Sequence, residues 1–406
     1  MDIIKIYLSE VLNGLQGTEI AYAILIFALF VLPRLFLRFG LPMALTAFFM
    51  GAGANAGFGF NDRDNVVSIF ASLGIIALFL FAGMEVDLNS LKGHFRRVTE
   101  HVIVRFIVVG IFGAVISIQY TLAVPTSILV ALAIATPSTG FILDSLEHSS
   151  LNEDKKYWIK LKAISAELVA LGMLLVVTKS GDAAALAGSL TVIITLILVL
   201  PYLFKRIVGA IERIAPGSEF TFLLILAVIF GLITKKLGAY YLVGAFIVGI
   251  MAGRYRRETP NLTTEEMLKS LRMFAAFFMP FYFFNAGLKF PLTALGLKSL
   301  TIAGFLIAVS FPIKIFSIML HRKISLNEGW RDSAPIALSL MPNLVFGLVL
   351  AELMNAMQQI PVEIYGGLII YTLLTTMVAP LILKVIHAPD DVRRLSGEDK
   401  IMDQRQ

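Results

Sequence analysis

The sequence predicts an all-α polytopic membrane protein of about 13 spans, and three observations carry that reading: composition, recurring apolar runs, and the distribution of basic residues between them. Of 406 residues, 58% are hydrophobic and 15% charged. The mean hydropathy of +0.84 lies far above that of water-soluble domains, which are roughly half apolar. A soluble fold is excluded. Crossing ~30 Å of hydrocarbon takes about 20 helical residues, and runs of that kind recur from Ile20 almost to the C-terminus, separated by short polar connections. There is no cysteine, so a disulfide framework, a thiolate metal site and a Cys nucleophile are all unavailable.

A first group of spans is read near residues 20–37, 41–58, 66–84, 102–118, 126–143, 158–177 and 184–204. A second lies near 220–234, 240–251, 273–286, 300–320, 334–353 and 364–383. Asp2, Lys5 and Glu10 break up the start of the chain, which lacks the basic opening and cleavage site of a signal peptide, so the first run is expected to be retained. With connections alternating sides, one side gathers Arg34, Arg38, Lys92, Arg96, Arg97, Lys155, Lys156, Lys205, Arg206, Arg254, Arg256 and Arg257. Arg322, Lys323, Arg331, Arg393 and Arg394 follow on the same side, while the other holds Lys5, Arg63, Lys179, Lys235, Lys236, Lys289 and Lys298. The positive-inside rule makes the first side cytoplasmic, with the N-terminus outside and the C-terminus inside. The net charge of +6 is then a topology signal beside anionic headgroups of the lipid bilayer, and no nucleic acid is implied as a partner.

The two groups of spans repeat one another. GLPMALTAFFMG at 40–51 resembles GAYYLVGAFIVG at 238–249, AGMEVDLNSL at 82–91 lies over AGLKFPLTAL at 286–295, and Pro137 in ATPSTGF falls over Pro342 in LMPNLVF. Because the paired helices stand about seven spans apart, an odd number, the halves cross the membrane in opposite directions: an inverted-topology repeat. The expected organisation is a transmembrane domain at 1–387, with a first repeat near 41–177 and a second near 238–383, followed by a short cytoplasmic tail at 388–406.

In such repeats the site sits at the midplane, among helices whose hydrogen-bond ladder is interrupted. Pro137, flanked by Thr136, Ser138 and Thr139, and Pro342, followed by Asn343, meet that demand, because each removes a backbone donor inside an apolar span. Freed carbonyls there can coordinate a cation, and the half-helix ends supply partial charges of both signs. Glu167 sits close to mid-bilayer, at the tenth residue of a span that begins at Trp158. A carboxyl at that depth must face water, find a cation or hold a proton. Competition of proton and cation for that one carboxylate couples opposing fluxes, so the reading is a proton-coupled cation transporter and not an enzyme. Lys314 is the second deep charge. It needs a counter-charge, either Glu167 or the carbonyl end of a broken helix, and Pro312 is expected to loosen its helix. Glu85, Asp87, Glu100, His101 and Arg105 are read as interface anchors near span ends, and Asp144 as an access group at the cytoplasmic entrance.

These motifs together resemble the monovalent cation/proton antiporter superfamily, in particular its second branch of Kef-type and NapA-type sodium or potassium/proton exchangers. The resemblance rests on GLPMALTAFFMGA, FLFAGMEVDLNSL, ATPSTGFIL, AISAELVALGMLLVV and FYFFNAGLKFPL and covers nearly the whole chain. It implies an NhaA/NapA-like fold with two crossed discontinuous helices, at 136–139 and at 342–343, in a core bundle that rocks against a scaffold bundle. It also implies a homodimer and transport of Na+ or K+ against H+ by alternating access; no cofactor and no metal beyond the transported cation are expected, and the absence of a targeting segment suits a bacterial inner membrane. The family's ion-site acid falls on Glu167 and its intramembrane lysine on Lys314, whereas Ala166 stands where two-acid members carry a further carboxyl. Exchange of one proton for one cation is therefore expected. With only a short polar tail after 383, the nucleotide-binding domain of Kef-type members is expected to be absent.

Rival readings are a same-fold transporter of another solute, a channel, and a degenerate non-transporting sensor. An intramembrane hydrolase would need facing carboxylates or a Ser–His pair, and the five histidines all fall near span ends or in loops.

Overall fold

The computed structural model describes residues 19–58, 64–147, 149, 151–215, 218–236, 241–258 and 262–377. Their order is α1 (Glu19–Leu37), α2 (Met43–Phe58), α3 (Asn65–Met84), α4 (Leu88–Gly93), α5 (Phe95–Tyr120), α6 (Val124–Ala135), α7 (Thr139–Glu147) and α8 (Glu153–Thr178). There follow α9 (Ala183–Ile214), α10 (Glu219–Lys236), α11 (Tyr241–Glu258), α12 (Leu262–Leu288), α13 (Leu297–Leu326), α14 (Trp330–Ser339), α15 (Leu344–Ala356) and α16 (Val362–Met377). Among the described residues, the apolar runs read from the sequence fall on helix, except for residues 41–42 and the breaks at 136–138 and 340–343; residues 240 and 378–383 of two of those runs lie outside the described residues. Among the described residues, 8 helices suffice by length and composition to cross a membrane, up to 9 when the bent pair α14–α15 counts as one span, and α2, α11 and α16 contain shorter apolar stretches.

Hydrocarbon enforces this economy, since only a helix satisfies its own backbone there. Ends are fixed locally. Asp64 caps α3 by accepting from the amides of Val66 (2.9 Å) and Val67 (3.0 Å) and takes the Tyr22 hydroxyl at 2.8 Å. Asn327 closes α13 in the left-handed region at φ 55°. That helix runs unbroken through Pro312, so the expected loosening there does not occur.

The chain divides into two compact units. The first takes α1–α3 and α9–α12. Small residues set its packing, because apolar side chains gain little from leaving lipid and close backbone approach supplies the attraction instead. A Cβ on Gly51 of α2 would lie 2.0 Å from the Phe284 carbonyl oxygen of α12, and one on Gly287 of α12 would lie 2.0 Å from that of Phe48. Gly83 of α3 meets Phe246 of α11 in the same way at 2.3 Å, and Gly249 of α11 meets Leu80 at 2.2 Å.

The second unit covers residues 91–173 and those from 296 onward, and holds α5–α7, α8 up to Met173, and α13–α16. Its apolar core joins Ile142, Trp158, Ile159, Ile318, Ile336 and Met341. The α6–α7 stretch Val124–Leu143 is 78% buried, against 11% for α1, so α6–α7 is a core element and α1 a peripheral one.

Gly51→Ala is expected to destabilise the folded protein by about 3 kcal/mol or more, because backbone and not a movable side chain blocks the new methyl. Gly53→Ala, on the same helix with nothing within 4 Å of the new Cβ, should be neutral or stabilise by up to about 1 kcal/mol. Thermal unfolding of both variants in detergent checks the pair.

Candidate ion-binding site

Two spans of the second unit are broken where the sequence places proline. Helix α6 ends at Ala135 and α7 begins at Thr139; α14 ends at Ser339 and α15 begins at Leu344. The residue before a proline is pushed out of the helical region, and Thr136 accordingly adopts φ −81° and ψ 120°. The α14–α15 pair bends by 47°. Pro137 and Pro342 are both buried, so backbone groups released at the breaks cannot turn to water and must be satisfied by protein.

The breaks satisfy each other. The Ser138 amide donates to the Pro342 carbonyl at 2.9 Å, and the Ser138 hydroxyl accepts from the Val345 amide at 2.7 Å. The two interruptions therefore cross. Last-turn carbonyls of α6 then gather donors from four other elements. Asn343 Nδ2 reaches Ala133 O (2.5 Å), Lys314 Nζ and the Tyr371 hydroxyl both reach Ile134 O (3.0 and 3.1 Å), and Arg105 Nη1 reaches Ala135 O (3.0 Å). Lys314 also bridges to Met341 O, in the other break, at 3.2 Å. Donors and cations converge where orphan carbonyls concentrate partial negative charge.

Of the two partners expected for Lys314, the structure selects the carbonyl ends. Among the described residues no ion pair joins Lys314 to Glu167. Glu167 is 3% exposed, its Oε2 has no hydrogen-bond partner, and it faces the Thr139 hydroxyl, which also lacks a full hydrogen bond. Thr139 opens α7, so this carboxyl looks toward a helix N-terminus, where N–H dipoles favour negative charge. A buried carboxylate oxygen and a buried hydroxyl without full hydrogen bonds offer oxygen ligands of the kind a small desolvated cation takes.

The other predicted residues divide by role. Ser138, Pro342 and Asn343 brace the crossing; both ends of the Asn343 amide are engaged, Nδ2 on Ala133 and Oδ1 by the Thr375 hydroxyl at 2.6 Å. Thr136 is 3% exposed, and its amide donates to Leu132 O at 3.0 Å. Asp144 lies in α7, but its side chain falls outside the described residues.

Two residues read as interface anchors are not on a surface. Arg105 is 4% and His101 2% exposed, because both face inward on α5, Arg105 toward Ala135 O at the end of α6 and His101 toward Lys162 on α8 and His321 on α13. A lone arginine within HVIVRFIVVG was the available signal. Tyr371, Thr375 and Lys162 were not singled out, since a hydroxyl or amine in an apolar helix shows its purpose only through its partner.

A membrane protein whose two broken spans cross at a buried carboxylate has the architecture of a secondary transporter. The comparisons agree. Residues 24–388 match the family described as sodium/hydrogen exchanger, transmembrane, and the chain belongs to the sodium/hydrogen exchanger family. It is 25% identical to the probable Na+/H+ antiporter 3 of Methanocaldococcus jannaschii, covering 90% of this chain and 95% of that protein. Identity to a Na+/H+ antiporter of Enterococcus hirae is 22%, with 86% and 92% covered. The fold matches that of the sodium proton antiporter MjNhaP1 of M. jannaschii, with a TM-score of 0.68 at 14% identity over 91% of this chain and 96% of that one.

Tyr371 and Lys314 share the Ile134 carbonyl, and the Tyr371 hydroxyl also meets the buried Ser310 hydroxyl at 2.8 Å, so Tyr371→Phe should cost about 1–3 kcal/mol alone and more in a Lys314→Met background. A double-mutant cycle on unfolding should give a coupling of about 1 kcal/mol or more. Lys314→Met by itself should cost about 1–3 kcal/mol, since it strips Met341 O of a buried donor.

Proposed function

We propose that this protein is a secondary active monovalent cation/proton antiporter working by alternating access, in which Glu167 exchanges a proton for Na+ or K+. The observation that carries this is the Glu167 carboxyl: buried, with one oxygen unpartnered, beside the Thr139 hydroxyl at the crossing. An ionised carboxyl held at such depth costs about 3 kcal/mol or more unless neutralised. A proton or a monovalent cation each cancels that charge, and both cannot occupy the carboxylate at once. Exchange follows when the occupied site turns from one face of the membrane to the other. An empty, charged site resists the same turn, which limits leak.

Lys314 is the fixed cation of this scheme. Its amine ties both breaks together, so the crossing moves as one piece. With Glu167 as the sole deep carboxyl of α8, one proton exchanged per cation is the stoichiometry supported. The second-branch assignment within the family draws on AGMEVDL and ATPSTGF, with Ala166 a departure from its two-acid members. The inverted repeat, with halves near 41–177 and 238–383, draws support from the reciprocal approach of Gly51 to α12 and Gly249 to α3. About 13 spans, an N-terminus outside, a cytoplasmic C-terminus, a bacterial inner membrane and a homodimer complete the proposal.

Reconstituted into vesicles, the wild type should dissipate an imposed pH gradient on addition of Na+ or K+, and Glu167→Gln should not. If both proteins respond alike, the carboxyl is structural; if neither responds to any cation, another solute or no transport replaces this reading. Because the proton competes for the same oxygen atoms, each unit fall in pH below the carboxyl's titration range should raise the half-saturating cation concentration roughly tenfold, with the maximal rate little changed. Initial rates at saturating and limiting cation across pH check this.

A further inference from the structure

The second unit buries another ionisable group that the exchange at Glu167 does not use. Lys162 stands on α8, 2% exposed, its amine 2.8 Å from Nδ1 of His321 on α13 and 3.4 Å from Nδ1 of His101 on α5. The two rings meet edge to face with centroids 5.6 Å apart. Beyond His101, Arg105 Nε donates to its Nε2 at 3.5 Å; beyond His321, Nε2 faces Glu100 Oε2 at 3.9 Å. A row results: Arg105, His101, Lys162, His321, Glu100. One end holds the Ala135 carbonyl at the crossing, and the other reaches the partly exposed Glu100.

Donor and acceptor chemistry fixes the direction of the row. A guanidinium only donates, so Nε2 of His101 accepts and the ring carries its proton on Nδ1. That N–H points at the Lys162 amine, which can accept only through a lone pair, as the neutral amine. The amine in turn donates to Nδ1 of His321, leaving that ring's proton on Nε2, toward Glu100. Charge leads to the same state. Facing Lys162 are His101, Arg105 and Glu100 from α5, His321 and Arg322 from α13, and Glu328 from the turn that follows. Arg322 is already paired with Glu328, and Glu100 with Arg96, so an ammonium here would sit beside Arg105 with both facing carboxylates engaged elsewhere. Among the described residues no carboxylate lies within ion-pair distance of Lys162. The backbone carbonyls of Lys162 and Arg97 lie beside His101 and His321 and offer their ring N–H groups further acceptors.

We propose that His101, Lys162 and His321 form a second proton-binding site, separate from Glu167, whose occupancy is read by Arg105. A proton taken from water on the Glu100 side adds one N–H bond to the Lys162 amine. The resulting ammonium donates to Nδ1 of both rings, so His101 must carry its own proton on Nε2, head-on to Arg105 Nε–H. Arg105 then loses an acceptor on its own helix while still holding Ala135 O, so its guanidinium is left anchored at the crossing alone. The effect on transport rests on the exchange proposed above; the site itself does not.

The test is the tautomer of His101. Spectra of 15N-histidine-labelled protein in lipid bilayers would be recorded from about pH 9 to about pH 5, with His101→Gln and His321→Gln to assign the signals. At alkaline pH the His101 signal should be that of an Nδ1–H ring, converting in one step to Nε2–H on acidification, and Lys162→Met should abolish the step. A His101 ring that is Nε2–H throughout, or a step that survives Lys162→Met, overturns the proposal. Should Lys162→Met not fold, the wild-type titration alone decides, since a missing step overturns it equally. Counting protons bound over the same range should find one fewer per chain in Lys162→Met. An intact histidine step beside failed exchange at Glu167 would sink the exchange reading and leave this site standing.

Discussion

Everything in the second unit depends on how the last-turn carbonyls of α6 are satisfied. Three successive oxygens, those of Ala133, Ile134 and Ala135, are released where Pro137 stops the helix, and each finds a donor from a different element. In hydrocarbon an unsatisfied carbonyl costs several kcal/mol, so the breaks exist only because Asn343, Lys314, Arg105 and Tyr371 are in place. Those donors in turn fix where α5, α13, α15 and α16 must stand. The polar network is therefore a positional constraint first, and the apolar packing around Trp158 and Ile318 fills what it leaves.

Charge bookkeeping at the crossing explains why Lys314 and Glu167 need not touch. Lys314 sits among carbonyl oxygens, which are dipoles, and Glu167 faces the opening turn of α7, where amide dipoles point the other way. Each ionisable group thus has a backbone environment of opposite sign, and the exchange proposed for Glu167 requires no salt bridge to be dismantled. Ala166, where a second carboxyl would compete for the lysine, is consistent with that division. The His101–Lys162–His321 row adds a point at which protons reach Arg105, and so the same carbonyls, from one end of the bundle.

The sequence by itself determined the class of fold and where two of its helices break. Apolar run length, basic asymmetry and the Pro137/Pro342 correspondence are local or periodic properties, and hydrocarbon leaves the backbone so few options that they suffice to place helices and breaks. Glu167 was legible because a carboxyl at mid-span has no cheap explanation. Tertiary structure alone decided partners. That Lys314 binds carbonyls and not Glu167, that Asn343 is a brace, that Arg105 and His101 are buried, and that Lys162 stands between two histidines all depend on contacts between residues tens to hundreds of positions apart. Side-chain hydrogen bonds are short and directional, so their pairing follows from the relative placement of packed helices, which no periodicity in one helix encodes.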